Sequence, residues 1–295
     1  MKKIGILCAT DKELSPYFSI IQNKKTKKYA MHSFYTGKIA DADVVAAYSG
    51  CGKINASITA QILIDRYQVD AIIFSGIAGG MKKEIEVFDT VVCTASVFHD
   101  TDNEIYTDFP VLDKPIFYAD EHLVSLARKA AEGIERKIHF GFATTGDRYV
   151  EPVYLDILCI DMETAAAAHT CYLNNVPFVA IRSISDNIKE AGQEAINRNY
   201  DKAAYQSYQF VYTMLQELGK ENVCTKYSSQ YLTGVYRISE RGWKTYGICR
   251  RLVISVSDER RLCVFTEKRS VIPEGRRYHT AIYSRGLFLP FASDQ

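Results

Sequence analysis

Between Lys3 and Ile184 the chain repeats one pattern, a short apolar run followed by a stretch with helical spacing. The runs are KIGILCA from Lys3, DVVAAYSG from Asp43, AIIF from Ala71, FDTVVCTASVF from Phe88, IHFGFATT from Ile138 and VAIRSIS from Val179. Strands with so few polar positions are covered on both faces, which demands helices on either side of the sheet they form. The intervening stretches supply them: DKELSPYFSIIQ after Ala9, Lys53 to Tyr67, Asp120 to Gly133, and Asn199 to Leu218. In the last of these Tyr200, Tyr205, Tyr208 and Tyr212 recur at helical spacing, a packing stripe. The expected fold is α/β, three layers with a mixed, largely parallel central sheet, plus a small C-terminal extension.

Charge divides the chain in two. Residues 1–222 carry 23 Lys and Arg against 29 Asp and Glu, and residues 223–295 carry 13 against 6. The first segment is expected to be the α/β domain and the second a basic, aromatic appendage. The eight cysteines show no CxxC spacing, and Cys8, Cys93 and Cys159 lie in apolar runs where they read as small buried hydrophobes. A reducing, cytoplasmic setting without zinc or another metal is expected. The apolar run Ile4 to Ala9 is too short for a signal peptide and no run is long enough to span a bilayer, so no membrane association is expected.

Chemistry concentrates between Cys159 and Asn187. There CIDMETAAAAH opens a helix, NNVPF connects, and the strand VAIRSISDN follows. Asp161 is placed to cap the helix that Glu163 to Thr170 opens, and the unpaired amides of a first turn favour an ionised Glu163. Asp186 leaves an apolar strand at its carboxyl end, where loss of water raises a carboxyl pKa. Two acids pushed apart in this way supply both an anion and a general acid, the requirement for acid-assisted bond cleavage. The same residues also fit plain structural duty, Asp161 and Glu163 as caps and Asp186 as the start of a turn. Glu13 stands at another strand-to-helix corner, with Asp11 able to cap.

Three further stretches bear on ligands. Gly50, Gly52 and Ala56 imitate half of a dinucleotide fingerprint, but the acid such a site needs at the end of the next strand is missing, since Asp70 precedes AIIF; NAD is excluded on that ground. SGIAGG, Ser75 to Gly80, suggests a sharp turn able to approach a ligand closely. Tyr149, just past a strand end, suits stacking on a planar base or simple core packing. His99, Asp100 and Asp102 read as a surface turn or subunit contact, and Lys24 to Lys28 as a solvated basic loop.

Taken together, KIGILCATDKEL, SGCGK, SGIAGG, FHDTD, TGDRYV, DMETAAAAH and RSISD occur in an order that resembles the 5′-methylthioadenosine/S-adenosylhomocysteine nucleosidases of the nucleoside phosphorylase superfamily, over residues 1–222. The resemblance implies hydrolysis of adenine from 5′-thio nucleosides, no cofactor, and a homodimer. It assigns Asp186 to protonating the leaving adenine, and Glu13 with Arg182 to positioning water. Glu163 and the Met162 backbone would hold the ribose hydroxyls. Tyr149 would stack on the base and the Val150 backbone would read its edge, while Ile77, Ala78, Gly79 and Ser185 complete the pocket. Arg182 is expected to point toward Glu13, leaving Asp186 unpaired. At the positions where phosphorolytic relatives hold phosphate stand Phe74 and Ile77, which favours water as the acceptor. A purine nucleoside phosphorylase and a nucleoside-binding sensor of weak activity are the alternatives.

Residues 223–295 lie outside the resemblance. LVISV and RLCVF around SDER read as a hairpin, and PEG at Pro273 as a further turn. Arg250-Arg251, Arg260-Arg261, Lys268-Arg269 and Arg276-Arg277 among aromatics would suit nucleic acid, or simply a solvated extension.

Overall fold

The structure is a computed structural model that describes residues 3–101, 115–147 and 156–230, together with strands at 252–256, 262–266 and 287–289. Tyr149, Val150, Asp102, the proline turn at Pro273 and the basic pairs of the tail lie outside the described residues.

In chain order the main sheet uses β1 (Lys3–Cys8), β2 (Gln22–Tyr29), β3 (His32–Ile39), β4 (Ala42–Tyr48), β5 (Ala71–Gly80), β6 (Thr90–Phe98), β7 (Phe117–Tyr118), β8 (Ile138–Thr145), β9 (Ile157–Asp161) and β10 (Phe178–Asn187). The helices are α1 (Asp11–Leu14), α2 (Lys53–Asp65), α3 (Glu121–Ala131), α4 (Thr164–Leu173) and α5 (Gln193–Gln230). A 3-10 turn, Ser15–Ser19, follows α1.

The sheet is mixed. β5 runs parallel to β1 and β10, β1 to β4, and β8 to both β6 and β9, whereas β10 to β6 and β5 to β9 are antiparallel. These pairings join β5, β10, β6, β8 and β9 into a closed ring, from which β1, β4, β3 and β2 extend as an open wing. β5 is the hinge of this layout. Residues Ala71 to Phe74 pair with β1 and residues Gly79 and Gly80 pair with β9, so this edge changes partner midway.

Strand alternation sends side chains to two cores. Leu7, Ile72, Phe74, Ala180 and Ile184 face one core with Ala56, Ala60 and Leu63 of α2 and Ala165 to Ala168 of α4. Ile4, Ile6, Ile73, Val179 and Ile181 face the other, with Leu123, Leu126 and Ala127 of α3 and Phe210, Val211, Met214 and Leu218 of α5. Helices therefore cover both faces, the three-layer architecture expected from apolar strands.

Four local expectations change. SGIAGG is not a turn: it is the last six residues of β5, and none of its glycines has a positive φ. Lys24 to Lys28 is not a loop but lies in β2, an exposed edge strand whose lysines discourage pairing with other chains. The cap of α1 is Thr10 rather than Asp11, and it forms a reciprocal box with Glu13. The last helix does not stop at Leu218 but runs on to Gln230, and Gly219 within it packs closely, since a Cβ there would stand 2.8 Å from the Ala40 carbonyl oxygen.

The chain divides after Gly219 into two compact units. In the second, β11 (Leu252–Val256), β12 (Leu262–Thr266) and β13 (Leu287–Leu289) form an antiparallel sheet, with β12 in the middle. The expected hairpin is β11 with β12. Since both cores close on residues up to Leu218, a chain ending at residue 222 is expected to unfold in one cooperative thermal transition; a broad, non-cooperative melt would show that the first unit needs the rest.

Candidate active site

The site forms where β5 changes partner. β1 ends at Cys8 and leads into α1, β9 ends at Asp161 and leads into α4, and the gap between them exposes the middle of β5. Glu13 fills that gap as a substitute strand partner. Its Oε1 accepts the Ile77 N–H at 2.9 Å, and its Oε2 accepts the N–H groups of Ala9 at 2.8 Å and Thr10 at 2.9 Å. The Thr10 hydroxyl accepts the Glu13 N–H and is itself bonded to the Tyr200 hydroxyl of α5. Glu13 is 2% exposed. Burial raises its pKa, opposed by the Arg182 charge and by the amides of Ile77, Thr10 and Ala9.

Arg182 comes from β10, level with Gly76 of β5, and has no exposed surface. Its Nη1 and Glu13 Oε1 both approach Gly76, but the two side chains form no ion pair among the described residues. Its ion pairs are with Asp161 at 2.9 Å and Glu163 at 3.7 Å, and its Nε also donates to Thr164 Oγ1 at 3.0 Å. Its guanidinium lies 4.2 Å from the centre of the Phe74 ring. Burial alone would lower the Arg182 pKa, but Asp161, Glu163 and Glu13 outweigh it and hold the cation above its ordinary value. Gly76 makes the crossing possible, since a Cβ there would sit 2.4 Å from Arg182 Nη1 and 2.5 Å from Glu13 Oε1.

Asp161 organises the start of α4. Its Oδ1 accepts the N–H groups of Glu163 and Thr164 at 3.1 and 3.0 Å, as a cap should, and the Thr145 hydroxyl at 2.6 Å. It is at once cap and counter-ion. Glu163 is the residue preceding α4, and its Oε1 accepts the Gly52 N–H at 2.8 Å. The expectation of a simply ionised Glu163 needs correction: burial, with Asp161 and Glu13 nearby, outweighs Arg182 and Gly52 and pushes its pKa to about 7. Met162 between them is exposed.

Asp186 stands four residues beyond Arg182 on β10, past a register shift, level with Gly79. It is 7% exposed and forms no ion pair among the described residues; the Ser185 hydroxyl donates to its Oδ1 at 2.7 Å. Burial raises its pKa, and Ser185 only partly opposes this. Ser185 also approaches the Ala78 carbonyl at 3.4 Å, while Gly79 keeps the space beside Asp186 clear, a Cβ there being 3.3 Å from Oδ2. Glu13, Ile77, Ala78, Gly79, Glu163, Arg182, Ser185 and Asp186 are thus gathered along the carboxyl half of β5.

Sequence reasoning missed a buried hydroxyl network beneath them. Ser207 of α5 accepts the Gly76 N–H at 3.0 Å and donates to the Ile181 carbonyl at 3.0 Å, and the Tyr17 hydroxyl donates to Ser75 at 2.8 Å. Small hydroxyls inside apolar runs carry no sequence signal. Thr10 did carry one, the T-x-x-E spacing of a capping box.

A ring-and-wing sheet with carboxylates gathered around one buried arginine at the carboxyl ends of its strands agrees with one family model, that of the phosphorylase superfamily, which matches residues 3–216. Two relatives named 5′-methylthioadenosine/S-adenosylhomocysteine nucleosidase narrow the match. That of Maridesulfovibrio salexigens is 33% identical over 231 residues, covering 73% of this chain and 100% of the relative. That of Chromohalobacter salexigens is 34% identical over 232 residues, covering 74% and 99%. The crystal structure of the Neisseria meningitidis nucleosidase in complex with methylthio-immucillin-A superposes with a TM-score of 0.68 at 29% identity, covering 73% of this chain and 99% of that one. The futalosine hydrolase of Helicobacter pylori gives 0.67 at 26%, covering 73% and 98%. The chain belongs to the 5′-methylthioadenosine/S-adenosylhomocysteine nucleosidase family within the phosphorylase superfamily.

The crossing at Gly76 is testable by stability alone. Gly76→Ala is expected to cost about 1–3 kcal/mol in urea unfolding, the usual range for overpacking, whereas Gly133→Ala, with nothing within 4 Å of its added methyl, should cost nothing measurable. Equal midpoints for the two variants would contradict the arrangement of Arg182 and Glu13.

Proposed function

We propose that the chain hydrolyses the N-glycosidic bond of 5′-methylthioadenosine, S-adenosylhomocysteine or a related adenine nucleoside and releases adenine. One observation carries the mechanism: among the described residues Arg182 is engaged by Asp161 and Glu163, and Asp186 is buried without a counter-ion. An acid in that state holds its proton to higher pH than an exposed carboxyl does and can deliver it.

In the reaction so read, Asp186 gives its proton to a ring nitrogen of the purine as the C–N bond breaks and the electron pair leaves with the base. The ribose then carries oxocarbenium-like positive charge, which Glu13 and the ionised form of Glu163 stabilise. Water attacks the anomeric carbon and passes a proton to Glu13. Arg182 Nη1, which meets Glu13 Oε1 at Gly76, supports a role in placing that water beside Glu13, and Nη2, buried with no hydrogen bond among the described residues, faces Glu163 at 3.7 Å. Glu163, held by Gly52, and the Met162 backbone take the ribose hydroxyls. The base-stacking and edge-reading roles fall to Tyr149 and Val150 by resemblance.

Water rather than phosphate is the acceptor in this reading. Phe74 is buried under the Arg182 guanidinium and Ile77 offers no hydroxyl, so neither supplies a donor to an anion. The partner proposed for the chain is a second copy of itself, supported by the exposed apolar residues Ile54 and Ile58 of α2 and Tyr172 and Leu173 of α4, two helices that pack on each other. Among the described residues no helix is long and apolar enough to cross a membrane.

Adenine release from 5′-methylthioadenosine, followed by absorbance, is expected to proceed at the same rate with and without saturating phosphate; a several-fold rise with phosphate would make the chain a phosphorylase. Asp186→Asn keeps the shape and removes the proton, so kcat should fall by ~10²–10⁴ while an adenosine-like inhibitor still binds within about tenfold. Because burial raises the Asp186 pKa, the parent should lose activity as pH rises through that elevated value. A basic limb that survives in the residual activity of Asp186→Asn would place the acid elsewhere.

A further inference from the structure

Lys53 has no part in the chemistry above, yet it is the most heavily engaged lysine among the described residues. It is the first residue of α2, immediately after Gly52, whose N–H holds Glu163. Its Nζ stands 2.9 Å from both carboxylate oxygens of Asp100 and 3.5 Å from Asp147 Oδ2. The backbone joins in. The Lys53 N–H donates to Asp147 Oδ1 at 3.3 Å, and the Asp147 N–H donates to Asp100 Oδ2 at 2.7 Å.

Asp100 lies just beyond β6 and Asp147 just beyond β8, so one ammonium fastens the start of α2 to the ends of two ring strands. An isolated surface ion pair would do little. Here two carboxylates share one cation, and each also accepts a backbone N–H, which fixes geometry rather than merely adding attraction. The need for such a clip is local. Gly50 and Gly52 both have positive φ, +84° and +97°, and a turn with two such glycines has a wide choice of conformations to lose. It meets the site through the Gly52 N–H on Glu163, and the Gly50 N–H donates to the Ala9 carbonyl at 2.9 Å.

We propose that Lys53 is a positioning residue for the ribose-binding carboxylate: clipped to Asp100 and Asp147, it holds the Gly52 amide on Glu163. The inference rests on the reading of Glu163 as the ribose anchor. It gives the FHD and TGD stretches a shared task, since their aspartates anchor the lysine of SGCGK.

The test uses the full chain and two readouts. In Lys53→Met, KM for 5′-methylthioadenosine should rise about tenfold with kcat within about threefold, and KM for an analogue lacking the ribose hydroxyls should stay put. In a Glu163→Gln background the same change should add less than about twofold, because the amide no longer has a carboxylate to aim at. Independently of activity, exchange of the Gly52 amide proton, read by NMR, should speed at least about tenfold in Lys53→Met and stay unchanged in Lys38→Met, which removes an exposed ion pair with Asp43. If Lys53→Met does not fold, Asp147→Asn, which keeps the Lys53–Asp100 pair, should move the same readouts in the same direction by about threefold. Unchanged exchange and unchanged substrate preference in a folded variant would overturn the inference, as would full additivity with Glu163→Gln. A parent chain that releases no adenine would instead overturn the functional reading, and Gly52 exchange would still judge the clip.

Discussion

A guanidinium without exposed surface is the constraint around which this α/β domain is arranged. Taking Arg182 out of water costs several kcal/mol even after relaxation, and the fold can bear that only by surrounding the charge with partners of good geometry. Asp161 and Glu163 provide opposite charge, Thr164 an acceptor, and Phe74 a ring face. The first three come from the corner between β9 and α4, and Phe74 comes from β5. β9 and α4 must meet at Asp161, β5 must lack a side chain at position 76, and β10 must lie beside β5 in the observed register. Removing any one partner would strand a buried charge rather than delete a contact.

The same arrangement divides the acids into two populations. Glu13, Asp161 and Glu163 lie within the field of Arg182, whereas Asp186, on the same strand but past a register shift, does not. Proximity in sequence and separation in charge are both consequences of β10 running along β5. Gly76 lets the arginine cross at one level, and Gly79 leaves room for the free acid at another. A strand that looks like a loop in composition thus acts as the scale along which the paired and the unpaired acids are spaced.

The layers were legible because apolar strand runs and periodic helices are local signals, and Leu123, Leu126 and Ala127 or Ile4 and Ile6 declare their faces within a few residues. Glu13, Glu163 and Asp186 were legible as positions, since each ends or follows an apolar run. Their pairing was not. That Arg182 also pairs with Asp161 depends on where β9 meets β5, a contact between residues some eighty positions apart. Three glycines in SGIAGG suggested a turn because glycine serves both turning and close approach, and only the crossing of Arg182 shows which use applies. Lys24 to Lys28 misled in the opposite sense, as an edge strand needs polarity that resembles a loop's. Glu163 looked ionised from its helix position, but burial among other acids is invisible in a linear sequence.

The ring of strands also sets an order of events during synthesis. Glu13 leaves the ribosome early, but Arg182 and the Ser207 hydroxyl that supports Gly76 follow about 170 to 190 residues later, roughly 8 to 40 seconds at ordinary elongation rates. Until β10 is made, β5 has one flank open and β6 lacks a neighbour, while Glu13 awaits the cation that offsets its burial. The wing of β1 to β4 can assemble in that interval, whereas the catalytic floor has to wait. A nascent chain of this architecture is therefore most exposed to misassembly in its middle, and it acquires its reactive centre as one of its last acts of folding.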